Sequence, residues 1–253
     1  VRRLLVDLAP PAPPTPGPRQ AAMAAGAAKA LARLNRGQAA FAARVLGEPD
    51  YALCLGLPGT GKTAALAAVA AAAAAAGRRV LIGAYTNAAV DNVVARLAAD
   101  GVTAMLRVGR ASSVSPAARA FMPGGSMRPE TGPDELARLV ATVPIVAASV
   151  LSADAALLRA APPFDLVLLD EAGQMTAPAA VGALLRGRCW ALVGDHYQLP
   201  PLAAGGGGGD GAAPESLFKR LAEAHPQARR VRGGERPWRA RARVPTRPPP
   251  HSI

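Results

Sequence analysis

Short apolar runs alternate with longer, helix-length stretches over most of this chain. The runs at residues 52–56, 80–84, 145–148, 166–170 and 190–194 are rich in Leu, Val, Ile and Ala and end on polar or turn residues. That is the pattern of strands buried on both faces. Helical patterns lie between them, one from Lys62 onward and another over 88–97. Strands separated by crossover helices predict an α/β fold, a parallel sheet with helices on both faces. The order is broken at 111–133, which is rich in Ser, Pro and Gly and reads as a surface insertion. It is broken again by five glycines at 205–209, within a glycine-rich loop over 203–213. Ahead of the main domain, 34–228, lies an N-terminal segment, 1–33. It opens with a proline-dense linker at 10–18, followed by an alanine-rich helical stretch over 21–34.

Composition refines this picture. Of 253 residues, 51% are hydrophobic but only 4% aromatic, so helices packed through small side chains are expected rather than an aromatic-rich sandwich. The alanine run 64–76 follows Lys62 and is closed by Gly77, Arg78 and Arg79. It falls short of the roughly 18 strongly apolar residues of a membrane span and reads as a helix of a soluble domain. No secretory signal is visible. Val1 in place of methionine suggests that the sequence starts inside a longer polypeptide. Cys54 and Cys189 each sit in an apolar run and are expected to be structural. His196, His225 and His251 have no zinc-ligand spacing, so no protein-held metal is assigned.

Net charge is +12, but residues 229–253 hold eight arginines and one acid, which leaves +5 for the rest. The body is mildly basic, compatible with a phosphate-backbone partner and weak support for one.

The sharpest signal is the run Gly56-Leu57-Pro58-Gly59-Thr60-Gly61-Lys62-Thr63, which follows a predicted strand and opens a predicted helix. It matches the P-loop pattern of nucleotide-binding proteins. Its glycines let backbone N–H groups turn toward phosphates, and the helix N-terminus adds positive potential there. Lys62 is expected on the β- and γ-phosphates of ATP, with the Thr63 hydroxyl on Mg²⁺. A P-loop also needs an acidic partner, and the strand ending Asp170-Glu171 supplies it. Two acids at a strand end are by themselves a solvated terminus. Beside a P-loop, Asp170 can hold Mg²⁺ through water and Glu171 can polarise the attacking water. A third strand runs through Gly194-Asp195 into His196-Tyr197-Gln198-Leu199-Pro200-Pro201, where Gln198 either reaches the γ-phosphate or forms part of a polar turn before the prolines.

Four segments in this order resemble successive motifs of superfamily 1 helicases: Leu34-Asn35-Arg36-Gly37-Gln38, Tyr85-Thr86-Asn87-Ala88-Ala89-Val90-Asp91-Asn92, Asp170-Glu171-Ala172-Gly173-Gln174, and Val193 through Leu202. Within that superfamily the chain looks most like the helicase part of the eukaryotic helicase/nuclease family of DNA replication. Glu215-Ser216-Leu217-Phe218-Lys219-Arg220-Leu221 and the double proline favour that branch. The resemblance covers about residues 34–228. It implies a RecA-like, P-loop domain of an ATP-dependent DNA helicase of replication and repair, with a second RecA-like domain beyond the position of Ala228, introduced by a Gln-Tyr-Arg motif that this sequence does not contain.

The resemblance also assigns residues. Gln38 would read the adenine edge, Lys62 and Thr63 would serve phosphate and Mg²⁺, Asp170 and Glu171 would be metal-linked acid and base, and Gln198 would sense the γ-phosphate. Thr86, Asn87 and Ser149 would face a single strand of DNA, with RNA as the alternative strand. Small hydroxyl and amide groups suit phosphate and sugar contacts without base readout. Thr86 and Asn87 could equally cap the helix that follows. The implied location is the nucleus, with the mitochondrion as a second site. Gly173 stands where the family usually has Ser, and neither nuclease acids nor four iron–sulfur cysteines have counterparts here. A non-catalytic nucleotide and nucleic-acid binding module is the alternative reading.

Residues 229–253 abandon apolar periodicity where a buried strand is due. Their like charges and their prolines at 237, 245 and 248–250 predict a disordered basic tail. Arg, Pro, Ala and Gly are also what GC-rich codons yield out of frame, so a frameshift or retained intron is a plausible origin of this tail, and an arginine-rich nuclear-localisation or nucleic-acid-binding tail is the alternative.

Overall fold

The computed structural model describes residues 31–47, 50–56, 60–126, 132–152, 156–195, 201 and 215–225. Expectations for the N-terminal linker, the glycine-rich loop and the basic tail fall outside these residues. So do Pro58, Gly59, His196, Gln198 and His251.

Six strands form one parallel sheet in the order β1-β6-β5-β2-β4-β3: β1 is Tyr51–Leu55, β2 Val80–Ala84, β3 Met105–Val108, β4 Ile145–Ser149, β5 Phe164–Asp170 and β6 Gly187–Gly194. Eight helices accompany them among the described residues: α1 Arg36–Leu46, α2 Lys62–Ala75, α3 Asn87–Ala99, α4 Pro116–Arg119, α5 Pro133–Thr142, α6 Ala156–Ala160, α7 Ala177–Leu184 and α8 Leu217–Ala224. Successive strand side chains point to opposite faces, and the core divides accordingly. Ala52, Val80, Ile82, Leu166, Leu168 and Val193 pack under α1, α2, α3 and α4. Leu53, Leu81, Val146, Val167, Leu169 and Leu192 pack under α5, α6, α7 and α8. The expected parallel sheet covered on both faces is therefore present.

The alanine run is the body of α2, whose Ala65, Ala67, Ala68, Ala70, Ala72 and Ala73 are buried. Alanine is the strongest helix former, and side chains this small let α1 and α3 approach α2 closely. Among the described residues no helix is long and apolar enough to cross a membrane. Cys54 and Cys189 lie in β1 and β6, partly exposed and packed against the core. Burial pushes the Cys54 thiol up to about 12, so it stays protonated.

Two features differ from the sequence reading. Strand β3 lies within a segment read as having no strand, because its third residue is Arg107, fully buried, which breaks the apolar run. The start of the 111–133 segment also contributes to the core through Val114, Ala118, Phe121 and Met122. Strand β3 supplies one edge of the sheet and this turn of chain covers it, with Phe121 O accepting from Arg107 N at 2.9 Å.

Register brings the strand ends to a common edge. Leu55 of β1 pairs with Gly194 of β6, while Ala84 of β2 pairs with Asp170 of β5 and with Ser149 of β4. The loops that leave these carboxyl ends share one rim, the place where open parallel sheets bind ligands.

Candidate nucleotide site and strand-facing edge

The loop after β1 is tied down from two sides. Gly56 N donates to Gly194 O at 3.1 Å, joining it to the end of β6. From α1, Gln38 Nε2 donates to Thr60 O at 2.9 Å and Gly61 O at 3.1 Å. Gln38 is itself fixed by a capping box. Its backbone N donates to Asn35 Oδ1, and its side-chain Oε1 accepts from Asn35 N, both at 2.9 Å. Gly61 begins α2 at φ 75°, a left-handed conformation that glycine takes without strain, and offers no capping side chain. No side chain of Gly61 caps this 14-residue helix, whose N-terminus carries the positive potential that favours an anion. Lys62 Nζ donates to Gly56 O at 2.6 Å, across the mouth of the loop.

The acidic pair sits opposite. Asp170 is 4% exposed; its Oδ2 accepts from the Thr63 hydroxyl at 3.2 Å and its Oδ1 from Glu171 N at 2.9 Å. Burial raises the Asp170 pKa, opposed by those two hydrogen bonds and by Lys62. Glu171 holds φ 54°, the single described residue other than glycine with a positive φ. For a side chain of that size this costs on the order of 1–3 kcal/mol, which the surrounding packing must supply. Its pKa is also raised, by burial first, against a hydrogen bond from Thr86 and the charge of Lys62, with Asp170 adding to the rise. Thr86 Oγ1 donates to Glu171 Oε2 at 3.2 Å.

These groups line a cleft of about 410 Å³ formed by Thr60, Gly61, Lys62, Thr63, Asp170, Glu171, Gly173, Gln174, Gly194 and Asp195. Hard oxygen donors from Thr63 and Asp170 stand beside an ammonium and a helix N-terminus. That donor set fits a magnesium-bound polyphosphate. Asp195, 5% exposed at the end of β6, was quoted in the sequence reading without a role. The turn Ala172–Gln174 presses onto Gly194, where an added Cβ would lie 2.8 Å from Gly173 N. Among the described residues no cluster of three or more His, Cys, Asp or Glu has the arrangement of a metal site.

The three groups expected to face a nucleic-acid strand are placed differently from one another. Thr86 is half-buried and caps α3, accepting from Ala89 N at 3.1 Å. Asn87 Oδ1 accepts from Arg107 Nη2 at 2.8 Å, which turns that oxygen inward. Ser149 is 6% exposed, and its hydroxyl donates to Ser152 Oγ at 2.9 Å. Behind Asn87 lies a closed ion pair that sequence reasoning missed. Arg107 Nε donates to Asp91 Oδ1 at 2.8 Å and Nη1 to Val108 O at 2.6 Å, while Asp91 Oδ2 accepts from Ser115 N at 2.6 Å. The pairing was hidden by distance along the chain, although Asp91 lies in a quoted motif.

The DNA replication ATP-dependent helicase/nuclease of Arabidopsis thaliana is 36% identical over 228 residues, covering 90% of this chain and 17% of that protein. Its Saccharomyces cerevisiae counterpart is 36% identical over 195 residues, or 77% of this chain and 13% of the relative, and the Homo sapiens protein 35% identical over 193. The chain thus spans less than a fifth of the length of these relatives. Among solved structures, an arterivirus nonstructural protein 10 helicase complexed with DNA aligns over 74% of this chain and 36% of its own, at 18% identity and a TM-score of 0.45. A likeness that loose carries no argument. A family model described as an AAA domain matches residues 33–232, a span that holds the P-loop, both acids and all six strands, and the chain belongs to that family.

Proposed function

We propose that this is the ATP-binding domain of an ATP-dependent DNA helicase of replication and repair, acting in the nucleus and coupling hydrolysis in the cleft to movement on single-stranded DNA. The observation that supports it most is the convergence of Lys62, Thr63, Asp170 and Glu171 on one cleft, with Thr63 and Asp170 oxygens 3.2 Å apart. The names of the relatives agree with it.

Each residue then has a task. Lys62 exchanges the Gly56 carbonyl for the β- and γ-phosphates, and the backbone N–H groups at the start of α2 receive phosphate oxygens. Thr63 and Asp170 would hold Mg²⁺, which when bound neutralises charge on the phosphates. Glu171 orients the attacking water and takes its proton; a pKa raised by burial makes it a better base than an exposed glutamate. To read the adenine edge, Gln38 exchanges its amide bonds to Thr60 O and Gly61 O for the base. Gln198, following β6, senses the γ-phosphate. Along the rim, Thr86, Asn87 and Ser149 would meet the strand through its phosphates and sugars, the Asn87 oxygen and the Ser149 hydroxyl by giving up their bonds to Arg107 and Ser152.

The described cleft lining contains one cation, Lys62, and no arginine. An arginine at the transferred phosphate is worth about 10³ to 10⁵ in rate. The 253 residues expressed alone are therefore expected to hydrolyse ATP slowly. Phosphate release from γ-labelled ATP, followed with protein in excess over nucleotide, tests the reading. Slow release that disappears in Glu171→Gln supports it, whereas release at an equal rate in Glu171→Gln contradicts the assignment of the base.

A further inference from the structure

The two ends of the sheet carry opposite charge. Around the carboxyl ends of the strands, the cleft sets Asp170, Glu171 and Asp195 against one cation, Lys62. At the amino ends, some five residues or about 16 Å away at 3.3 Å per residue, arginines gather. Arg78 and Arg79 lead into β2, and Arg186 and Arg188 flank Gly187 at the start of β6. Arg44 lies in the last turn of α1, and its charge reaches Tyr51, the first residue of β1, where it opposes the rise that burial gives the phenol's pKa. Among the described residues, Asp50 and Asp165 are the acids at the amino ends of these strands. Asp165 Oδ2 is engaged by Arg79 N at 2.9 Å.

Several of these guanidinium groups are short of acceptors. Arg79 gives Nη1 to Pro162 O at 2.8 Å and Nη2 to Val140 O at 2.6 Å, and lies over the Phe164 ring at 4.5 Å from its centroid. Its Nε is nevertheless buried without a partner, as are Nε of Arg186 and Nε of Arg44. Arg79 and Arg186 meet at one residue, because Phe164 N donates to Arg186 O at 2.8 Å and Phe164 pairs with Gly187. Beside them Arg188 is exposed and Leu185 is 50% exposed, a large apolar side chain held in solvent among cations.

We propose that this arginine edge, running from β2 across β5 and β6 to β1, is a docking surface for an acidic segment of a partner protein, bound extended with an apolar side chain against Leu185. Carboxylates suit the unmet donors. A guanidinium can take a carboxylate side-on through Nε and one Nη, and Asp and Glu carry that group on a stem that reaches a half-buried arginine. The phosphates of a nucleic-acid backbone have no such stem and offer Leu185 nothing apolar. Three strand spacings of about 4.8 Å give a track of about 14 Å, which four or five extended residues span.

The probe is a fluorescein-labelled peptide, Glu-Asp-Leu-Glu-Asp, with its Kd on the full 253-residue chain read by anisotropy at about 0.15 M salt, where loose attraction is screened. Residues 229–253 are present in every variant, so their pull on an acidic peptide is common to all. Arg186→Glu with Arg188→Glu is expected to weaken binding by roughly tenfold or more. Arg36→Glu with Arg110→Glu, exposed positions away from this edge, changes net charge equally and is expected to leave the Kd within about twofold of the parent. Arg186→Gln with Arg188→Gln is the milder pair, expected to weaken binding by about fivefold, and thermal melts confirm that each variant folds. A peptide with serine in place of leucine is expected to bind about threefold less tightly than the parent peptide.

Equal weakening by the two charge-reversed pairs, or no binding of the peptide by the parent, would overturn the proposal. So would a loss of labelled oligodeoxythymidylate binding in the Arg186→Glu, Arg188→Glu chain with the peptide retained, which would make this edge a nucleic-acid surface. An undiminished serine peptide would overturn the contact with Leu185.

Discussion

Two groups of charges lie some strands apart in one sheet, and the fold treats them oppositely. Arg107, Asp91, Asn87 and Ser115 form a closed set. Arg107 is fully buried and gives three hydrogen bonds, and both oxygens of Asp91 receive one. Lys62, Thr63, Asp170 and Glu171 form an open set around a cleft of about 410 Å³, where the hydroxyls of Thr63 and Thr86 meet the two acids at 3.2 Å. Burial raises the pKa of both open-set acids. A buried charge whose bonds are all made within the protein has no capacity for anything else. Partly paired charges facing a cavity hold capacity for a ligand, at a cost in stability that the rest of the fold offsets.

Breaking the closed set should have the largest effect. Asp91→Ala leaves the Arg107 guanidinium buried without its carboxylate, and a stability loss of about 3–5 kcal/mol in urea unfolding is expected. Replacing both partners with apolar residues, Asp91→Leu with Arg107→Met, is expected to recover much of that loss. If the double variant is no more stable than Asp91→Ala, the pair does more than satisfy itself.

An intermediate effect is expected where the open set is packed tightly. Gly194→Ala places a Cβ 2.8 Å from Gly173 N, so the turn carrying Glu171 must shift. Overpacking of this kind costs about 1–3 kcal/mol. It should show as a lowered Tm together with weaker nucleotide binding, and a Tm unchanged from the parent would place that turn elsewhere.

The smallest effect should come from neutralising the open set. Asp170→Asn is expected to leave stability unchanged or raised at neutral pH, because desolvation of the carboxylate is the leading influence on its pKa. The sign follows from linkage. With the folded pKa raised, the native state binds the proton more tightly than the unfolded chain. The parent therefore gains stability as pH falls from that raised pKa toward the ordinary carboxylate range. The gap between Asp170→Asn and the parent should close over that window, as read by urea unfolding at a series of pH values. A gap that widens on acidification would reverse the assigned sign.

The same contrast explains what was legible in the sequence. The open set lies in contiguous motifs at strand ends, where residue order and chemistry coincide, so Lys62, Thr63, Asp170 and Glu171 were found before any geometry. The sheet followed from apolar runs, and β2 has the limits expected from its run. The closed set is assembled from residues 16 to 24 positions apart. A buried arginine inside a four-residue strand reads as a break in hydrophobicity, so β3 was missed. Pairing across the fold makes that burial tolerable, and periodicity carries no trace of it. The clasp of Gln38 on Thr60 and Gly61, the left-handed Glu171 and the double engagement of Thr86 likewise depend on three-dimensional approach.

The central claim is that the open set exists to hold a nucleotide, and Lys62 tests it most directly. Affinity for a fluorescent ATP analogue with Mg²⁺ should be measured by titration of the parent and of Lys62→Ala, with folding of both checked by circular dichroism. A charge-assisted contact to phosphate is worth about 1.5–3 kcal/mol, so Lys62→Ala is expected to weaken binding by roughly 10- to 150-fold. Affinity within about twofold of the parent would mean that this lysine does not meet the phosphates, and would contradict the account of the cleft.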